Sequence, residues 1–154
     1  MRPAGVALAA ALAFALAPAG CAGARDGPGN DPPAGADPTG GLTEVRVLAD
    51  ESLRPAFDQV ETMFEAQHPS IEVVLAYGAG IDLARQIAGG EPAEVFATDD
   101  VSAMATAGLS EKAAVFGGGR LSVAPLAPAG EPFVAFVKEG AAQRIFTDTG
   151  ILRP

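Results

Sequence analysis

A mostly parallel β-sheet flanked by helices is the fold class this sequence predicts, and three observations predict it. From Leu42 onward, short β-branched runs alternate with longer stretches whose apolar residues recur at helical spacing. The connections between these runs are short and rich in Gly, Pro, Ser and Asp. Strands that alternate with helices in this way pair in parallel and are covered by the helices between them.

The elements follow in order. "EVRVLA" is extended, with Val45 and Val47 on one face. "LRPAFDQVETMFEAQ" places Phe57, Val60 and Phe64 on one helical stripe, with Ala56 and Met63 beside it. Ser52 fits as its N-cap, and Pro55 is tolerated in the first turn. "HPS" stops this helix, and "IEVVLAYG" is the second strand. "GAG" leads into "IDLARQIAGG", a short helix with Leu83, Ala84 and Ile87 inward and Gly89-Gly90 as its stop. "AEVFATDD" is the third strand, "VSAMATAGL" a short helix and "RLSVAPLA" the fourth strand. "FVAFVKEGAAQRIFTDTG" closes the series as one helix, interrupted near Gly140, with Phe133, Phe136, Val137, Ile145 and Phe146 on its apolar face.

The 154 residues suit one domain of modest size, because the N-terminal part is of another kind. Arg2 precedes the uninterrupted apolar run "VALAAALAFALA", and "PAGC" follows it, ending in the sole cysteine, Cys21. The run is too short to span a bilayer comfortably, so residues 1–20 read as a signal peptide. Small residues before Cys21 resemble the lipobox of bacterial lipoproteins, which implies acylation of that thiol after cleavage. The alternative is an ordinary signal cleaved near Ala19 that leaves Cys21 as a free thiol. Residues 21–41, "CAGARDGPGNDPPAGADPTGG", hold no bulky apolar side chain and are expected to be a disordered tether. Residues 42–154 form the single α/β unit.

The net charge is −9. Such a surface disfavours nucleic acid and a polybasic membrane contact, leaving a lipid anchor as the expected link to the membrane. It also opposes small anions at long range, an effect that salt partly screens.

Ligands of parallel α/β sheets gather at the carboxyl ends of the strands. Three tips therefore form the candidate wall of one site: Asp50 to Ser52, Gly78 to Ile81, and Thr98 to Asp100. Ser52 can donate its hydroxyl and neighbouring N–H groups to an oxyanion, or act only as a helix cap. The glycines of "YGAGIDL" let backbone amides approach a ligand closely, or simply make a turn. Asp99-Asp100 can hold a cation or cap the next helix. His68, the only histidine, precedes Pro69 at a helix end and reads as a solvent-exposed terminator. With one His, and one Cys that is expected to be acylated, neither a histidine-rich metal site nor a Cys-His pair is available, and no Walker loop or nucleophile elbow is present. Neither enzymatic activity, a cofactor nor a resident metal cation is expected.

The stretches "ADESLRPAFDQVETMFEAQHPSIEVVLAYGAG", "DLARQIAGGEPAEVFATDD", "RLSVAP" and "FVAFVKEGAAQRIFTDTGILRP" together resemble the molybdate-binding component of bacterial ABC transporters. The resemblance implies a type II periplasmic binding protein fold, in which two lobes close around a tetrahedral oxyanion held by hydroxyls and backbone amides. It implies molybdate or tungstate as transported ligand, an ABC transporter permease as partner and a periplasmic or extracytoplasmic location. It assigns Ser52, Gly80 and Ile81 to the oxyanion site.

Two departures from the family pattern stand out. After the strand matching "RLSVAP" the family continues into a second lobe, whereas here "PLAPAGEP" leads directly to the terminal helix, implying one lobe alone. The family's second ligand serine aligns with Gly80, and acidic Asp50 and Glu51 replace small residues before Ser52. A carboxylate about 5 Å from a bound anion costs about 3 kcal/mol at an effective dielectric near 20, or about two orders of magnitude in affinity. The expected function is oxyanion binding by a lone, weakened lobe. The rival is a remnant or protein-interaction domain on a lipid anchor that binds no small anion, and a carboxylate cation site at the same tips is a third option.

Overall fold

Strand β1 (Thr43–Asp50) is the centre from which the fold is built, because Val45, Val47, Leu48 and Ala49 are all buried. Residues that face both ways and are all buried require cover on both faces of the sheet. The structure, a computed structural model, describes residues 41–152. The signal segment, Cys21 and the tether up to residue 40 lie outside the described residues.

A 3₁₀ turn (Glu51–Leu53) leads from β1 into α1 (Arg54–Gln67). Strand β2 (Ile71–Gly78), α2 (Gly80–Ala88), β3 (Val95–Thr98) and α3 (Val101–Thr106) follow. Then come β4 (Ala114–Phe116), β5 (Leu121–Pro125), α4 (Glu131–Val137) and α5 (Gly140–Asp148). The five strands lie in the order β2-β1-β3-β5-β4. β1 runs parallel to β2 along its full length, from Thr43 opposite Ile71 to Asp50 opposite Gly78. It is also parallel to β3, with Val47 opposite Val95.

The remaining two strands run antiparallel: β5 to β3, and β4 to β5. β4 and β5 form a hairpin whose connection contains Gly117, Gly118 and Gly119, all at positive φ (60°, 67° and 90°). That backbone suits glycine and reverses the chain within a few residues, so the pair cannot be parallel. β4 is an addition to the four strands read from the sequence. Three residues are too few to display an alternation, and its middle residue, Val115, is exposed.

Two apolar layers enclose the sheet. On one face Val45, Val47 and Ala49 pack with Phe57, Val60 and Phe64 of α1 and with Phe133, Phe136 and Phe146 of α4 and α5. On the other, Leu48, Phe96 and Ala124 pack with Leu83 and Ala84 of α2 and with Ala103 and Met104 of α3. The phenylalanine rings of the first layer meet edge-on. Phe64 and Phe133 have centroids 5.2 Å apart, and Phe57 and Phe146 5.8 Å apart. Such pairs add about 0.5–1.5 kcal/mol each beyond the area they bury. The apolar stripe expected on the last helix is therefore real, but two helices carry it. The chain is extended at Glu139 (φ −73°, ψ 155°), which ends one helical run before the next begins at Gly140.

His68 departs from its expected exposure. It is half-buried, its ring stacks on Phe64 at 4.1 Å, and its Nδ1 lies 3.0 Å from the Phe64 carbonyl oxygen.

Candidate functional site

Because β1 sits between β2 and β3 and parallel to both, the carboxyl ends of all three strands emerge together. Each end turns into a helix start, so backbone N–H groups without intrahelical acceptors are concentrated there. The three tips make direct contacts with one another, and Asp50 supplies the first.

The half-buried Asp50 carboxylate accepts two backbone N–H groups from two different elements. Oδ1 takes Ser52 N–H at 3.0 Å, and Oδ2 takes Gly80 N–H at 2.8 Å. The third tip joins through Asp99, whose Oδ2 accepts the Ser52 hydroxyl at 3.0 Å. Within the third tip the fully buried Thr98 accepts Asp100 N–H on its Oγ1 at 3.0 Å. Ile81, second in α2, is half-buried in the first turn of that helix.

Ser52 is thus not the cap of α1. The capping side chain of the 3₁₀ turn is Asp50, and the residue at the start of α1 proper is Leu53. The Ser52 hydroxyl is left to cross to the third tip. Asp100 does cap α3 by accepting Ser102 N–H at 2.7 Å. Hydrogen bonds from the Ser102 hydroxyl and N–H hold the Asp100 carboxyl below the usual carboxylate range.

Of the two acids beside Ser52, Glu51 is the lesser influence. Its carboxylate is exposed and turned to Arg54, with contacts of 2.7 and 2.8 Å. The Arg54 hydrogen bond holds it below its ordinary range. Arg54 in turn lies over the Tyr77 ring, 4.1 Å from its centroid, and Tyr77 donates its hydroxyl to Asp58 at 2.7 Å. Burial and the Asp58 hydrogen bond push the Tyr77 phenol above its normal value. The Glu51 charge is therefore absorbed into a network on the α1 side, while the Asp50 charge is aimed at the amides.

Beside these tips lies a cleft of about 530 Å³, lined by Ser52, Pro55, Asp99, Arg120 and the 149–151 segment. Arg120 is the functional candidate that residue patterns alone missed. Its only signal was its place directly after three glycines and before a strand. Among the described residues, no group of three or more His, Cys, Asp or Glu is arranged to hold a metal ion.

A helix-covered sheet whose strand ends converge amides, a serine hydroxyl and carboxylates beside a cleft defines an α/β domain with its candidate site at those ends. Its lineage is specific: the chain belongs to the bacterial extracellular solute-binding protein family, whose sequence pattern matches residues 45–124. It is 38% identical over 69 residues to the molybdate-binding protein ModA of Mycobacterium bovis and to that of Mycobacterium tuberculosis. That stretch is 45% of this chain and 26% of the relative, so the chain spans about a quarter of the length of the curated relatives it matches. Two solved structures are also similar. The substrate binding domain of a putative molybdenum ABC transporter from Clostridium difficile shares 22% identity at a TM-score of 0.45, covering 47% of this chain and 34% of its own. The substrate-binding protein Lmo0181 from Listeria monocytogenes, in complex with cycloalternan, shares 30% identity at a TM-score of 0.33, covering 36% and 16%.

The surroundings of Gly80 leave no room for a side chain at the position where the resemblance aligns the family's second ligand serine. A Cβ at Gly80 meets Asp50 Oδ2 at 2.5 Å and Thr98 Oγ1 at 2.6 Å. Gly80→Ser is therefore expected to destabilise the protein by about 1–3 kcal/mol through overpacking. Denaturant melts of the two proteins check this, and a variant as stable as the parent would contradict the packing described.

Proposed function

We propose that this protein is the extracytoplasmic substrate-binding component of an ABC importer for molybdate-class oxyanions, acting as one lobe of weak affinity. The observation that carries the reading is the convergence of Ser52 and Gly80 N–H on a single anionic group at the ends of β1 and β2. Family membership and the likeness to ModA support it. The oxyanion, molybdate or tungstate, is cargo; the role requires a transporter permease as partner and no covalent chemistry or resident cofactor.

After β5 the chain enters α4 and α5, which pack on the same sheet as α1. Among the described residues the backbone donors at the strand tips come from one edge of the sheet, so an anion held there keeps its remaining oxygens in water and each hydrogen bond competes with solvent. The expected dissociation constant for molybdate is no tighter than about 100 μM, equivalent to about 5.5 kcal/mol. Titration calorimetry against molybdate, tungstate and sulfate checks this. Submicromolar binding by the wild type would overturn the single-lobe reading.

One observation favours the second reading, a domain that binds no small anion and serves as a contact surface. The donors named above are already engaged by Asp50 and Asp99. Absence of heat with all three oxyanions at millimolar concentration would select it.

The location follows from Cys21. Acylated after signal cleavage, it would anchor the protein to the membrane. Cys21→Ser is expected to move the protein from the membrane fraction to the soluble extracytoplasmic fraction, as read by cell fractionation. Unchanged membrane partitioning would contradict the anchor.

A further inference from the structure

Asp50 differs from an ordinary capping aspartate in one respect. A cap needs only the N–H two residues ahead, which Ser52 supplies at 3.0 Å. The second oxygen reaches across to Gly80 N–H at 2.8 Å, in a helix that begins 30 residues later. Nothing in the capping of the first turn requires that bond. It has the form in which a bound anion is held, with one donor for each of two oxygens from two helix starts.

Gly80 provides an independent observation. Its backbone is not in the left-handed region, so conformation does not demand glycine there. The demand is spatial, because the volume of a Cβ is taken by Asp50 Oδ2 and Thr98 Oγ1. The missing side chain at Gly80 and the carboxylate of Asp50 therefore explain each other. The Ser52 hydroxyl, another donor at these tips, is directed to a second carboxylate, Asp99.

We propose that the Asp50 carboxylate is a built-in occupant of the anion cradle, competing with external oxyanions for the Ser52 and Gly80 amides and setting the affinity of the lobe. An incoming anion has to displace the carboxylate and then remain beside its charge. The identity of the external ligand rests on the function proposed above, but the competition does not.

The test uses the full chain with Asp50→Ala, and Asp50→Asn as a variant that keeps the shape without the charge. The Ser52 and Gly80 amide resonances are followed by ¹H–¹⁵N NMR during titration with sodium molybdate and, separately, sodium formate, which resupplies the deleted carboxylate. In Asp50→Ala both amides are expected to shift saturably with formate. With molybdate they should saturate at a concentration at least about tenfold lower than in the wild type, the effect of removing a nearby like charge. Asp50→Asn should show a smaller gain, and it carries the test if the alanine variant does not fold. Formate binding without molybdate binding would support the occupancy and overturn the oxyanion reading. Equal molybdate affinity in wild type and Asp50→Ala would overturn the occupancy and leave the oxyanion reading intact. Folded variants whose two amides respond to neither anion would overturn the proposal.

Discussion

The pairing of β1 with β2 on one side and β3 on the other is the constraint on which the rest depends. Both pairings are parallel, and the β1–β2 register places Asp50 opposite Gly78. The residues that follow each strand end are thereby fixed as neighbours: Ser52 after β1, Gly80 after β2, and Asp99 after β3. A shift of one residue would turn Val45, Val47 and Ala49 out of the phenylalanine layer, so the core that stabilises the sheet also holds the tips in place. Fully burying side chains of this size contributes about 1.5–3 kcal/mol each, enough to specify that register.

Electrostatics then decide what the tips can do. Amides at helix starts favour negative charge, and the chain supplies that charge itself through Asp50. The net charge of −9 opposes external anions further, although salt screens it beyond about 10 Å. Arg120 is a cation lining the cleft beside Ser52 and Asp99, so the surroundings of the tips are mixed in sign. Glu51, which looks equally acidic in the sequence, is turned away by Arg54, so two adjacent carboxylates have different consequences.

Much of the fold was legible in the residues, and the reasons are specific. Phe57, Val60 and Phe64 announce α1 because one face of that helix is buried and the other is wet. The three strand tips could be named as one wall because parallel topology brings carboxyl ends together whatever the side chains. β4 stayed hidden because three residues carry no period, whereas the interruption read near Gly140 is the break at Glu139. At the site, the strand-tip pattern and the resemblance pointed to Ser52 and Gly80 but not to the partners of their polar groups. The Ser52–Asp99 bond joins residues 47 apart, and whether Asp50 or Glu51 faces the amides depends on side-chain direction. Those are outcomes of packing, which periodicity does not encode.

The central claim, that one carboxylate bridges two helix starts, can be measured directly in solution. Scalar couplings across hydrogen bonds link an amide nitrogen to the carbon bearing its acceptor oxygen, and they vanish when the bond is absent. In the wild type, couplings from the Asp50 carboxyl carbon to both the Ser52 and the Gly80 amide nitrogens are expected, consistent with separations of 3.0 and 2.8 Å. A coupling to Ser52 alone would reduce Asp50 to a helix cap and contradict the account.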